Sequence, residues 1–143
     1  MDIYESFRLV AATGCGIQMG AFLIISLFHK PLFVKWPLDI TTAGLFKRLY
    51  RLCTIVAIIS GVFAIFGEAR EAGFLLAILG MSYMLLLTHL LPTIINQHYK
   101  INTESIDKQR RSPEEIITFL KTIQVSSHFL QFLVLIYLVY SLN

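Results

Sequence analysis

Leu52-Cys-Thr-Ile-Val-Ala-Ile-Ile-Ser-Gly-Val-Phe-Ala-Ile-Phe-Gly67, Glu68-Ala-Arg-Glu-Ala-Gly73 and Phe74-Leu-Leu-Ala-Ile-Leu-Gly-Met-Ser-Tyr-Met-Leu-Leu-Leu-Thr-His-Leu-Leu91 follow one another without interruption. Two apolar runs free of Lys, Arg, Asp and Glu thus flank a short charged connection. A connection this short lays the second run antiparallel beside the first. With its helical lead-in, each run reaches the roughly 20 residues that a helix needs to cross a hydrocarbon core. The pair reads as a transmembrane hairpin. Cys53, Ala57, Ser60, Gly61 and Ala64 share one helical face, and small side chains there let two membrane helices approach closely. Packing, rather than thiol reactivity, is the role this face assigns to Cys53.

Working outward, Leu9 to Phe28 is another uncharged run. Asp2 and Glu5 stand where a secretory signal has basic residues, and no small-residue cleavage site follows, so the run counts as a helix of the protein. Its Gly16-x-x-x-Gly20, with Gly14 beside it, suits close packing inside a bundle. Pro31 and Pro37 are expected to end this helix, with Lys35 and Trp36 as interfacial anchors at lipid headgroups. Asp39 to Thr42 supplies caps for the next helix, whose Lys47, Arg48 and Arg51 are placed to meet lipid phosphates. On the third helix Pro92 cannot donate to the carbonyl of Thr88, which predicts a kink beside His89. Asn96 to Arg111 reads as a polar connection. Ser112-Pro-Glu-Glu115 then starts a helix with a capping serine, proline at the first position and glutamate at the third. The expectation is one all-α integral membrane domain over residues 1–143, a four-helix transmembrane bundle of antiparallel up-down topology with helices over 9–28, 43–67, 73–96 and 113–142.

Composition agrees with this. The chain is 56% hydrophobic, against about 45–50% apolar residues in soluble domains, and its mean hydropathy is +0.69. A net charge of +3 comes from basic residues between the apolar runs, not from an aromatic-interleaved patch of the kind that binds nucleic acid. Arg8 alone precedes helix 1, and Arg70 alone lies between helices 2 and 3. Lys30, Lys35, Lys47, Arg48 and Arg51 crowd the first connection, and Lys100, Lys108, Arg110, Arg111 and Lys121 the third. The positive-inside bias therefore places both long basic connections in the cytoplasm and both termini outside, which in a bacterium means the inner membrane. Cys15 and Cys53 have no metal-finger or CxxC spacing. No nucleophile–base pair, Gly-rich phosphate loop or pair of intramembrane carboxylates supports a hydrolase, kinase or proton pump.

Polar side chains gather in one place. Gln124, Ser127, His128 and Gln131 recur at helical spacing and form half a polar stripe that cannot face lipid. The topology draws His29, His89, His98 and His128 toward the cytoplasmic leaflet. Three roles fit this layer. His89 and His128 can ligate haem or copper, with Gln124, Ser127 and Gln131 as supporting donors and Arg48, Arg51 or Lys30 near haem propionates. The layer can instead bound a pocket for an apolar small molecule, walled by Phe28, Phe46 and Tyr83, with a histidine as proton donor or acceptor. Alternatively the stripe docks a membrane partner or a second copy, making the protein an accessory subunit or assembly factor. Interhelical hydrogen bonding explains the same residues without chemistry, and it is the plain expectation for His29 and His98.

Gly20-Ala-Phe-Leu-Ile-Ile-Ser-Leu-Phe-His-Lys-Pro31, Ala43-Gly-Leu-Phe-Lys-Arg-Leu-Tyr-Arg51 and Leu90-Leu-Pro-Thr-Ile-Ile-Asn96 resemble small four-helix membrane proteins of the anthrone-oxygenase-like and copper-resistance-D-like group. The resemblance covers most of the chain and implies a four-helix fold. If the protein is an enzyme, it implies an oxidoreductase of oxygenase type. The related protoporphyrinogen-oxidase-like proteins have a histidine early in helix 1, where this chain has Thr13 to Gln18.

Overall fold

The computed structural model describes residues 1–34, 40–103 and 113–143, with side chains described over 1–24, 44–97 and 115–143. Apart from its ends and the turn at 67–69, the described chain is helical: α1 (Ile3–Val34), α2 (Ile40–Phe66), α3 (Arg70–Leu85), a π turn (Leu86–Leu90), α4 (Leu91–Thr103) and α5 (Pro113–Leu142). Four stretches among the described residues are long and apolar enough to cross a membrane, namely Ile3–Ile24, Gly44–Phe66, Arg70–Gln97 and Glu115–Leu142. The third combines α3, the π turn and most of α4.

Neighbouring spans run in opposite directions. Phe7 of α1 lies against Phe63 and Phe66 at the far end of α2, whereas Phe22 reaches Tyr83 of α3 and His128 of α5. At the hairpin, Gly61 and Gly73 bring α2 and α3 so close that a Cβ on Gly73 would stand 3.0 Å from the Gly61 carbonyl oxygen. Cys53, Ala57, Ser60, Gly61 and Ala64 are all buried there, as their shared face requires. Outward-facing residues are apolar, including Leu52, Ile55, Ile59, Val62, Phe74 and Met81, while Gln18, Ser60, Gln124, His128 and Gln131 are inside. Lipid as solvent accounts for the reversed polarity: a polar group facing hydrocarbon would lack a partner.

The turn at Glu68 closes α2 with paired bonds. Ala69 N–H donates to the Ala64 carbonyl at 2.9 Å and Glu68 N–H to Ile65 at 3.0 Å, the Schellman pattern. Its left-handed position falls on Glu68, at φ 62°, and the glycine stands one residue earlier, where space is short. A Cβ on Gly67 would lie 2.7 Å from Arg8 Cγ and 3.1 Å from the Tyr4 carbonyl oxygen.

Several expected boundaries change. Helix α1 begins at Ile3 rather than Leu9 and continues through Pro31 to Val34. Pro31 withdraws only one main-chain N–H, which a membrane helix tolerates. The region from Asn96 stays helical to Thr103 instead of opening into a connection. The expected interruption near His89 takes the form of a π turn: Leu91 N–H reaches five residues back to Leu86, and Pro92 follows with no N–H to give. Among the described residues nothing lies within 4 Å of a Cβ placed on Gly16 or Gly20, so neither makes the close contact expected of it there. Gly14 is the glycine against α2, facing Ser60.

Candidate functional site

The helical spacing on α5 sends the polar stripe inward, where Gln124, His128 and Gln131 are each at least nine-tenths buried and Ser127 is half-buried. Their partners divide them into two groups.

The first group is a closed hydrogen-bonded core. The Tyr50 hydroxyl on α2 lies 2.7 Å from His128 Nε2, and Gln124 Nε2 donates to the same hydroxyl at 2.7 Å. The hydroxyl oxygen therefore accepts from Gln124 and shares one hydrogen with His128 Nε2, given by the tyrosine or by the ring according to the tautomer. A second link joins α3 to α1: Tyr83 O–H donates to Gln18 Oε1 at 2.8 Å, and Gln18 Nε2 donates to the Gly14 carbonyl at 3.3 Å. Phe22 separates the links, with its ring centroid 5.8 Å from Tyr83 and 5.4 Å from His128. Phe46, itself buried, stacks on Tyr50 at 6.1 Å.

The second group opens outward. Gln131 Nε2 donates to Ser82 Oγ at 2.8 Å, and Ser82 passes its own proton to the Leu79 carbonyl at 2.7 Å. Gln131 Oε1 is buried and has no hydrogen-bond partner among the described residues. Beside this pair a groove of about 400 Å³ runs between the third span and α5. Its apolar wall is Leu85, Leu86, Leu90 and Ile123, and its polar residues are Ser82, His89, Thr93, Ser127 and Gln131. The π turn contributes Leu86, His89 and Leu90, so the helical irregularity and the groove coincide.

The five expected ligand-binding residues therefore separate. His89, Ser127 and Gln131 line the groove, whereas Gln124 and His128 turn toward Tyr50. Phe46 and Tyr83 belong to the buried core and not to the groove wall, which is aliphatic. Among the described residues no three or more His, Cys, Asp or Glu side chains gather as a metal cluster. Lys47, Arg48 and Arg51 are exposed on the first turns of α2, as headgroup contacts require. Lys35 and Trp36 lie outside the described residues, and the side chains of Phe28, His29, Lys30 and His98 do so as well.

Tyr50, Gln18 and Ser82 are the partners that sequence reasoning missed. Gln18 and Ser82 had a signal, since each is a polar residue within an apolar run. Tyr50 was masked by the basic cluster around it. No known protein family, curated protein or solved structure matches this chain.

Proposed function

We propose that this multi-pass membrane protein binds an apolar small molecule drawn from the bilayer, in the groove between the π turn of the third span and α5. The observation that carries this reading is the lining: Leu85, Leu86, Leu90 and Ile123 offer apolar area at lipid level, and Ser82, His89, Thr93, Ser127 and Gln131 add a few convergent polar groups. That mixture is what orients a small ligand in a mostly apolar site. The positive-inside bias sets the groove in the cytoplasmic half, with Lys47, Arg48 and Arg51 holding lipid phosphates on that side. The small-molecule form of the reading is favoured over haem or copper ligation. His128 is turned toward Tyr50 and Phe22 and does not line the groove that His89 lines, so the two histidines do not share one site.

Purification in mild detergent, followed by solvent extraction and mass spectrometry, tests the proposal. A small molecule recovered near stoichiometry from the wild type and lost from Ile123→Trp, which fills the groove, supports it. Identical extracts from both proteins would sink it. A Soret band abolished by His89→Ala or His128→Ala would transfer the assignment to haem ligation. A stoichiometric membrane partner lost with Gln131→Leu would make the layer a subunit interface. A cytoplasmic reporter signal from a fusion after Asn143 would reverse the orientation.

A further inference from the structure

We propose that the end of the bundle opposite Lys47, Arg48 and Arg51 holds the zwitterionic headgroup of a phospholipid such as phosphatidylethanolamine, its phosphate on Arg8 and its ammonium on Glu5.

A pocket of about 240 Å³ lies between the first turns of α1 and the end of α5, lined by Met1, Glu5, Arg8, Leu9, Leu142 and Asn143. Glu5 and Arg8 stand three residues apart, a spacing that puts them on one face of the helix. Among the described residues neither has an ion-pair partner. Glu5 accepts the Asp2 main-chain N–H at 3.2 Å, and Arg8 makes no hydrogen bond to any described residue. The stem of the arginine is fixed all the same. Its Cγ would stand 2.7 Å from a Cβ on Gly67, so the turn after α2 holds the side chain, with Nε buried against it. The two terminal nitrogens are not buried, and they form the fork that takes two oxygens of one phosphate.

Opposite charges that share a pocket without pairing suit a ligand that carries both. An anion alone would be opposed by Glu5, and an amine alone by Arg8. The order of the groups identifies the ligand further. Arg8 lies about 4.5 Å deeper along the span than Glu5, at 1.5 Å per residue, and Leu9 and Leu142 adjoin it. Phosphatidylethanolamine has the same sequence of groups, from acyl chains to phosphate to terminal ammonium. Leu9 is 51% exposed and belongs to the apolar surface of the span Ile3–Ile24, so the pocket continues into the lipid-facing side of α1. That continuity favours a bilayer lipid over a soluble zwitterion.

The test uses native mass spectrometry of protein released from micelles holding equal amounts of phosphatidylethanolamine and phosphatidylglycerol with identical acyl chains. The two lipids share the phosphate and differ in the amine. Lys47, Arg48 and Arg51 are present in every variant, so lipid bound at the other end cancels. Glu5→Gln should lower the retained ratio of phosphatidylethanolamine to phosphatidylglycerol by about 1.5- to fivefold, the range for one exposed ion pair. Arg8→Gln should lower the retained phosphatidylethanolamine itself. An unchanged ratio in Glu5→Gln would overturn the headgroup assignment, and unchanged retention in Arg8→Gln would overturn the site. Displacement of the lipid by an equal concentration of soluble glycerophosphoethanolamine would overturn the choice of a bilayer ligand. Glu5 is exposed, so Glu5→Gln decides the assignment even if Arg8→Gln fails to fold.

Discussion

The Tyr50 hydroxyl and His128 Nε2 meet at 2.7 Å across 78 residues of sequence, joining the second span to the last in the middle of the bundle. Gln124 closes the group by donating to the same oxygen. Tyr50→Phe keeps the ring and removes only the hydroxyl, leaving two buried polar groups short of a partner. The expected cost is about 1–3 kcal/mol in reversible unfolding from detergent–lipid micelles. A double-mutant cycle of Tyr50→Phe with His128→Leu should show a coupling of about 0.6–2 kcal/mol, the range of hydrogen bonds between membrane helices. Additive effects would mean that the two side chains do not share the bond.

This pairing also marks the limit of what the sequence discloses. Four uncharged runs separated by polar segments reveal the number of spans, because a main chain in lipid must satisfy its own hydrogen bonds. The inward turn of Gln124, His128 and Gln131 is legible for the same reason. Which neighbour each one meets is not, since lipid avoidance selects a face of one helix and says nothing of the face opposite. His128 chose Tyr50 over His89, and Tyr50 stands among exposed Lys47, Arg48 and Arg51, where a tyrosine reads as an interfacial residue. Helix ends were obscured by proline, whose lost N–H at Pro31 costs less than breaking a membrane helix.

The glycines of α1 show the same ambiguity and supply a test. A Cβ on Gly14 would collide with Ser60 Oγ, stand 3.0 Å from Ser60 Cβ and approach Val56 Cγ1 at 3.5 Å. Rotation of the serine hydroxyl cannot relieve the contact with its Cβ, so α1 and α2 must separate. Gly14→Ala should destabilise the fold by about 1–3 kcal/mol, as overpacking does, and Ser60→Gly should recover part of the loss. Gly16→Ala meets nothing within 4 Å among the described residues, and the helix propensity of alanine should leave stability unchanged or raise it by up to about 1 kcal/mol. Thermal unfolding of the two alanine variants under identical conditions separates them.

Glu68 occupies a left-handed conformation, φ 62°, that an L side chain adopts at a cost. Glu68→Gly removes that strain at an exposed position and should raise stability by about 0.5–1 kcal/mol after the entropy that glycine gains in the unfolded chain. Gly67→Ala should act in the opposite direction, because its Cβ would enter the 2.7 Å space beside Arg8 Cγ. A Glu68→Gly variant no more stable than the wild type would show that contacts of the glutamate side chain offset the strain.

The π turn has two causes that variants can separate. Pro92 has no N–H for the preceding turn, and Leu91 donates five residues back to Leu86. Beyond the turn, Leu91 and Ile94 are each 1% exposed, so their packing fixes the rotation of α4. Returning the turn to α geometry without shortening the chain would rotate α4 by about 100°, the step of one helical residue, and expel both side chains from the bundle. Packing therefore holds the extra residue in place even when the proline is replaced. Pro92→Ala alone should keep the amount of co-purified small molecule within about twofold of the wild type. Pro92→Ala combined with deletion of Leu87 removes the extra residue and lets α3 run into α4 as one α-helix, with Leu91 and Ile94 still facing inward. That protein should still fold and lose the co-purified small molecule, because His89 and Leu90 no longer border the groove as they do now. Loss of binding in Pro92→Ala by itself would assign the turn to proline and not to the packing of Leu91 and Ile94.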